Sequence, residues 1–175
     1  MTPTSRRLLA AALALGSVAL DQITKHLAVE HLRGRAPREY LAGTVRLLYA
    51  QNEGAFGSLG ASWPAPVRQG LFIAVPLFVL AAALVMLARR PQAGSAEVCG
   101  LALLAGGGLG NLVDRVAHGY VVDFLWIGRG WLATNVFNVA DVAIVAGVIL
   151  LVLPPDAFRG RAPPPSAPPA PPAAP

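Results

Sequence analysis

Charge is the first thing this chain is short of. Only 13% of its 175 residues are Asp, Glu, Lys or Arg, about half of the roughly 25% usual for a soluble domain. Lys25 is the sole lysine, and the arginines are scattered. A formal charge of +5 therefore forms no compact basic face, and nucleic acid is not an expected partner. One cysteine, Cys99, excludes an intrachain disulfide framework and a cysteine-only metal cage. His26, His31 and His118 have no metal-ligand spacing, and there is no His-Glu-x-x-His, no Walker motif and no Gly-x-Ser-x-Gly. Ser58 has no histidine near it in sequence, so it and the histidines read as structural or solvated. The glycine cluster from Gly106 to Gly110 fails the dinucleotide pattern Gly-x-Gly-x-x-Gly. Neither a metal nor an organic cofactor is expected.

Apolar residues are plentiful instead: 55% of the chain is hydrophobic and mean hydropathy is +0.56. That composition and length predict one membrane-embedded domain. Crossing about 30 Å of hydrocarbon takes about 20 mainly apolar residues. Gly70 to Ala88 is uncharged over 19 residues, Val98 to Val113 continues for 16, and Val136 to Leu153 gives 18 broken only by Asn138 and Asp141. The first segment, Leu8 to Leu20, is only 13 residues long behind Arg6 and Arg7, which is also the form of a cleavable secretion signal. The pattern resumes past Asp21 and Gln22 with Ile23, Leu27, Ala28 and Val29, and the segment is taken as a retained span. The expected fold class is an all-α membrane protein with four transmembrane helices, at about 8–28, 69–88, 97–114 and 136–153. A single integral-membrane domain then covers 1–158.

Arg6 and Arg7, Arg89 and Arg90, and Arg159 and Arg161 all fall on one side of such an arrangement, which places both termini in the cytoplasm by the positive-inside rule. The long connection from Glu30 to Gln69 opposes this with Arg33, Arg35, Arg38, Arg46 and Arg68. Within it, Tyr40 to Tyr49 sets Tyr40, Leu41, Val45, Leu47, Leu48 and Tyr49 around a turn signal at Gly43 and predicts short strands, hence a small extracytoplasmic β element. Trp63, Trp126 and Trp131 suit the membrane interface. The segment from Ala162 to Pro175 contains only Pro, Ala and one Ser. It cannot bury a core, so 159–175 is expected to be a disordered cytoplasmic tail.

Several polar residues are not explained by a membrane domain alone. Asp21, Lys25, Asn111, Asp114, Arg115, Asp123, Asn138 and Asp141 lie in or at the ends of the apolar segments, where ionisable groups are costly and are functional candidates by default. Asp21 and Lys25 are four apart, which also fits a plain ion pair. Asn111 and Arg115 share that spacing, and Asp114 with Arg115 also fits ordinary interfacial charges. Gly106 and Gly110 make a Gly-x-x-x-Gly, read as close helix packing. Asp141 sits six residues into its apolar segment with Asn138 on the same face. Asp123 lies in the apolar run Val121-Val122-Asp123-Phe124-Leu125. If the connection folds back, the two carboxyls meet near the outer membrane surface. Two carboxylates in a low-dielectric site tend to share one proton, leaving one to accept from water and one to donate. That is the requirement for acid–base peptide hydrolysis.

Five ordered blocks then resemble the lipoprotein signal peptidase (type II signal peptidase) family. They are Asp21-Gln22-Ile23-Thr24-Lys25, Asn52-Glu53-Gly54-Ala55-Phe56, Gly107-Gly108-Leu109-Gly110-Asn111-Leu112-Val113-Asp114-Arg115, Gly119-Tyr120-Val121-Val122-Asp123-Phe124 and Phe137-Asn138-Val139-Ala140-Asp141. The resemblance implies a four-helix aspartyl protease of bacterial inner membranes. It would cleave prolipoproteins before a diacylglyceryl-modified cysteine, act as a monomer among membrane lipids and need no cofactor. It implies Asp123 and Asp141 as the catalytic dyad. Asp21, Lys25, Asn52, Asn111, Asp114, Arg115, Asn138 and Ala140 would support the site or bind substrate, with Gly54 and Gly108 as glycines of close backbone approach. The arginine-rich outer connection and the Pro/Ala tail lie outside the family pattern. A small transporter or channel with carboxylates strung along a path, and a non-enzymatic scaffold, are the rival readings.

Cys99 sits beside Gly100 among small apolar residues and is read as packing. Cys99→Ala is expected to leave peptide cleavage nearly intact and insensitive to thiol reagents; a folded but inactive variant would refute the acid–base reading.

Overall fold

The computed structural model describes residues 2–54, 63–89 and 94–153. Ala55, Phe56, Ser58, Arg90, Arg159, Arg161 and the Pro/Ala tail lie outside the described residues. Helix α1 spans Pro3–Leu32, α2 Ala65–Arg89, α3 Ser95–His118 and α4 Val139–Val152. Strands β1 (Arg38–Tyr40), β2 (Val45–Asn52), β3 (Val121–Arg129) and β4 (Leu132–Ala133) form one antiparallel sheet in that order. The chain is therefore mostly helical with a small sheet, and α1, α2 and α3 are long and apolar enough to cross a membrane.

Helix ends depart from the expected spans for local reasons. Thr2 caps α1 by accepting the Ser5 N–H, with Pro3 at the first helical position, where its missing N–H costs nothing. The helix thus starts before Leu8 and runs for 30 residues, about 45 Å at the α-helical rise. Gly119, at φ 81°, closes α3 in the left-handed conformation, which glycine adopts without strain. Helix α4 starts at Val139 rather than Val136, because Asn138 and Asp141 form a capping box and Phe137 pairs with Leu125 instead. At 14 residues it spans about 21 Å.

Helix α3 is central, packing against α1, α2 and α4. Its small residues make this possible. A Cβ on Gly107 would lie 2.5 Å from the Ala140 carbonyl oxygen, and one on Gly110 would lie 2.6 Å from an Asp21 carboxylate oxygen. Gly106 abuts Ala14 and Ser17 of α1, so the Gly-x-x-x-Gly packing reading holds. At Gly108, by contrast, nothing among the described residues lies within 4 Å of a Cβ placed there, so the close helix packing is made by its neighbours.

The sheet caps the C-terminal end of α1. Val122 packs with Ala28 and Leu32, and Phe124, Leu47 and Tyr49 close around them. The strands predicted around Gly43 are present, and the run containing Asp123, read only as apolar, proves to be the third strand. A bulge in β2 lies between Leu47, opposite Leu125, and Ala50, opposite Asp123. One extra residue there re-aims the strand beside Asp123, as bulges commonly do near sites.

Gly100 and Gly147 are in mutual contact, each with a Cβ position under 3 Å from the other's carbonyl oxygen. Gly147→Leu is therefore expected to lose about 1–3 kcal/mol of stability through overpacking. Gly108→Ala should fold as the parent does. Denaturation in detergent measures both.

Candidate active site

Lys25 is 3% exposed and is the only lysine in the chain. Its ammonium lies 2.8 Å from Asp21 Oδ2 and 3.1 Å from Asp114 Oδ2, and it donates to Asn111 Oδ1 at 2.9 Å. Three donors thus meet three acceptors, which is the full capacity of an ammonium. The expected Asp21–Lys25 ion pair exists, but as part of a larger assembly. Asp114, expected among the supporting residues, is one of its members. It is 2% exposed, accepts the Val122 N–H at 2.9 Å and belongs to this buried cluster, so it is no interfacial charge.

Asp21 also accepts the backbone N–H of Ala140 at 2.9 Å. That N–H lies in the first turn of α4, where helix donors lack intrahelical partners, so a carboxylate from α1 fixes the start of α4. Ala140 is fully buried facing Gly107 and Gly110, which leaves room for a methyl group and little more.

The asparagines transmit this order outward. Asn111 Oδ1 accepts from Lys25 and from Asn138 Nδ2 (3.0 Å), so its Nδ2 is left to donate to Asp141 Oδ1 at 2.9 Å. Asn138 Oδ1 accepts the Asp141 N–H at 3.0 Å, and its Nδ2 donates to Asp123 Oδ1 at 2.6 Å. Asn52 Oδ1 accepts the Gly54 N–H at 3.1 Å, and its Nδ2 donates to Asp123 Oδ2 at 2.9 Å. In each case a fixed donor occupies the amide oxygen, so the amide nitrogen must face a carboxylate.

Asp123 and Asp141 are brought into one network by Asn138, which contacts both. The route is structural: Phe137 exchanges backbone hydrogen bonds with Leu125 (2.8 and 2.9 Å), pinning the segment before α4 to β3. Asp123 lies between Val122 and Phe124, whose side chains pack against α1, and the pleat turns it to the opposite face. Arg115 donates to the carbonyls of Asn111 (3.3 Å) and Gly54 (3.2 Å) and lies 5.7 Å from the Phe72 ring centroid. Gly54 is buried and serves through both its N–H and its carbonyl. Gly108 joins none of these contacts.

Gln22 was missed as a site residue. Its amide nitrogen reaches Asp21 Oδ2, the Gly110 carbonyl and Asp114 Oδ1 at 3.0–3.2 Å. Two of those partners lie 88 and 92 positions away; only its place in the first ordered block marked it.

Burial, followed by the nearby Asp141 charge, pushes the Asp123 carboxyl up from 3.8 to about 6 against the pull of its Asn52 and Asn138 hydrogen bonds and Lys25. A carboxyl whose proton affinity is raised, set in one network with a second carboxyl, is equipped for acid–base work on a polar bond.

The family model described as signal peptidase (SPase) II matches residues 13–154. The chain belongs to the signal peptidase II family, a family of proteases. A lipoprotein signal peptidase of Syntrophomonas wolfei is 42% identical over 138 residues, covering 78% of this chain and 85% of that protein. One from Streptococcus pyogenes is 35% identical over 136 residues, with the same coverages. Two solved structures of a bacterial membrane enzyme superpose with TM-scores of 0.73 and 0.71 at 26% identity. Each covers 82% of this chain, and they are themselves covered to 85% and 90%. With those neighbours and its apolar helices, this signal peptidase II family member is a multi-pass membrane protein.

The raised Asp123 value has a stability consequence of definite sign. Between 3.8 and about 6 the folded chain holds a proton that the unfolded chain releases, so this group weakens the fold as pH rises through that window. Asp123→Asn removes the effect. Its Tm should gain on the parent's between about pH 4 and 6, by an equivalent on the order of 2–3 kcal/mol, measured by thermal unfolding across pH.

Proposed function

We propose that the chain removes signal peptides from prolipoproteins by cleaving just before the diacylglyceryl-modified cysteine, with Asp123 and Asp141 as an aspartyl dyad. The observation that carries the mechanism is the pair of carboxyls linked through Asn138, with the Asp123 carboxyl raised to about 6 by burial. Membership of the signal peptidase II family supports the substrate.

In this mechanism Asp141 accepts a proton from water as the water oxygen bonds to the scissile carbonyl carbon. Asp123 donates its proton to the carbonyl oxygen, giving a neutral tetrahedral intermediate. Asp141 then returns a proton to the leaving amine as the carbon–nitrogen bond breaks. The new hydroxyl proton passes back to Asp123, restoring the starting state. Asn52, Asn111 and Asn138 hold both carboxyls in place, while Asp21, Lys25, Asp114 and Ala140 fix the frame behind them. Arg115 and Gly54 supply the polar rim beside the substrate backbone. The acyl chains stay among the helices, so binding energy comes from a part of the substrate remote from the reacting bond.

The topology that goes with this function has four spans in the bacterial inner membrane, with α4 the short fourth. Both termini are cytoplasmic, and the sheet and dyad stand at the extracytoplasmic surface. One integral-membrane domain over 1–158 carries the activity, and 159–175 is a dispensable tail. The working unit that goes with this reading is a monomer. The transporter reading wants carboxylates spread along a path, and the shared Asn138 argues against that.

Asp123→Asn and Asp141→Asn should each lower turnover of a lipidated prolipoprotein by about 10²–10⁴-fold or more while insertion survives, and the double variant should be hardly worse than either single one. Purified protein and gel-shift detection of the released signal peptide decide the matter. Near-normal cleavage by either single variant would displace the dyad.

A further inference from the structure

Leu41 and Trp131 occupy two turns that the sheet register sets side by side. Val45 pairs with Ile127, and the Gly128 N–H donates to the Thr44 carbonyl at 2.9 Å. The β1–β2 and β3–β4 turns therefore close the same end of the sheet. Leu41 is 77% exposed and Trp131 is 89% exposed, with Leu132 at 62% beside them. Leu41 and Ala42 both hold left-handed backbone, at φ 52° and 53°, a conformation that glycine or asparagine takes with less strain. A large apolar side chain is thus displayed where neither packing nor backbone preference calls for one.

Between the two turns is a cavity of about 420 Å³ lined by Glu39, Thr44, Arg46, Trp126, Gly128 and Arg129. Glu39 would repel an anion, but Arg46 lies 3.0 Å from its carboxylate and stacks 4.6 Å from the Trp126 ring centroid. Arg129 is exposed, and no partner for its guanidinium is found among the described residues. Arg38 adds a further exposed cation on the outer strand. Arg129 is six residues along β3 from Asp123, about 20 Å at the strand rise, so this place is separate from the dyad.

We propose that this end of the sheet docks on an anionic glycerophospholipid in the outer leaflet of the chain's own bilayer. Leu41 and Trp131 enter the boundary of the acyl chains, and the headgroup phosphodiester rests in the cavity against Arg129 and Arg46. The chemistry fits at each point. Tryptophan concentrates at the membrane interface, a guanidinium offers phosphate a fork of donors, and cations near an anionic leaflet gain about 1 kcal/mol each. Such docking would steady the sheet, and with it the strand that carries Asp123. The inference rests on the topology proposed above, with the sheet at the outer surface.

The full chain is reconstituted into bilayers of equimolar phosphatidylcholine and phosphatidylglycerol, with brominated acyl chains on one lipid or the other. Trp131 emission is isolated as the difference between the parent and Trp131→Phe. Brominated phosphatidylglycerol should quench it more, reflecting about fivefold local enrichment, the factor that one such cation supplies. Arg129→Glu, which alters an exposed side chain, should abolish that preference and keep the quenching. Leu41→Asp should weaken quenching by both lipids. Trp131 emission that neither lipid quenches, or equal quenching by both in the parent, would overturn the proposal. Because the readout does not involve cleavage, it fails or succeeds independently of the assigned reaction.

Discussion

A lysine ammonium buried among two carboxylates and an amide oxygen is the constraint on which the rest depends. Removing an ion from water costs several kcal/mol even after relaxation, so Lys25 is tolerable only because Asp21, Asp114 and Asn111 surround it. Those partners come from α1 and α3, and Asp21 and Asp114 also hold the first turn of α4 and the backbone of β3 through Ala140 and Val122. One charge cluster thus sets the relative positions of four elements. A pair of opposite charges would have served stability no better than well-packed apolar side chains. What the cluster supplies is orientation, since it decides which end of the Asn111 amide faces Asp141.

The small residues of α3 are the apolar counterpart of that cluster. Van der Waals packing, not hydrophobic exclusion, holds helices together in lipid, and it strengthens as backbones approach. Gly107 and Gly110 let α4 and α1 come close enough for Ala140 and Asp21 to bond. Polar precision at the outer end and glycine contact in the interior are one design: without the close approach, the carboxylate of α1 could not reach the N-terminus of α4.

Much of this was legible in the residues. Apolar segment lengths gave the helices, the Gly43 turn signal gave a hairpin, and carboxylates at membrane depth marked the candidates. The boundaries were less legible, because they depend on partners. Val136 reads as part of an apolar run, yet Phe137 spends its backbone groups on β3 and Asn138 becomes a cap. The strand around Asp123 looked like any apolar run, since periodicity cannot separate a short buried strand from a piece of helix. Gln22 and the burial of Asp114 were hidden for another reason: most of their partners lie on other elements, and no local spacing encodes those. Gly108 is the opposite case, a glycine singled out by motif position on which the described residues make no steric demand.

Charge placement explains why proton affinity rises at Asp123. Asp21, Asp114, Asp123 and Asp141 face Lys25 and Arg115, whose interactions with these acids link the whole group. Four carboxyl groups face two cations, and Asp21, Asp114 and Asp123 among them are buried. Lys25 is fully engaged by Asp21 and Asp114, and neither gives up that contact without exposing a buried ion. Asp123 is left with the Asp141 charge beside it, and burial together with that charge raises its carboxyl to about 6. The inner carboxyls fix the frame around Lys25, and the outer pair stands beyond it joined through Asn138, the arrangement that the proposed acid–base hydrolysis uses.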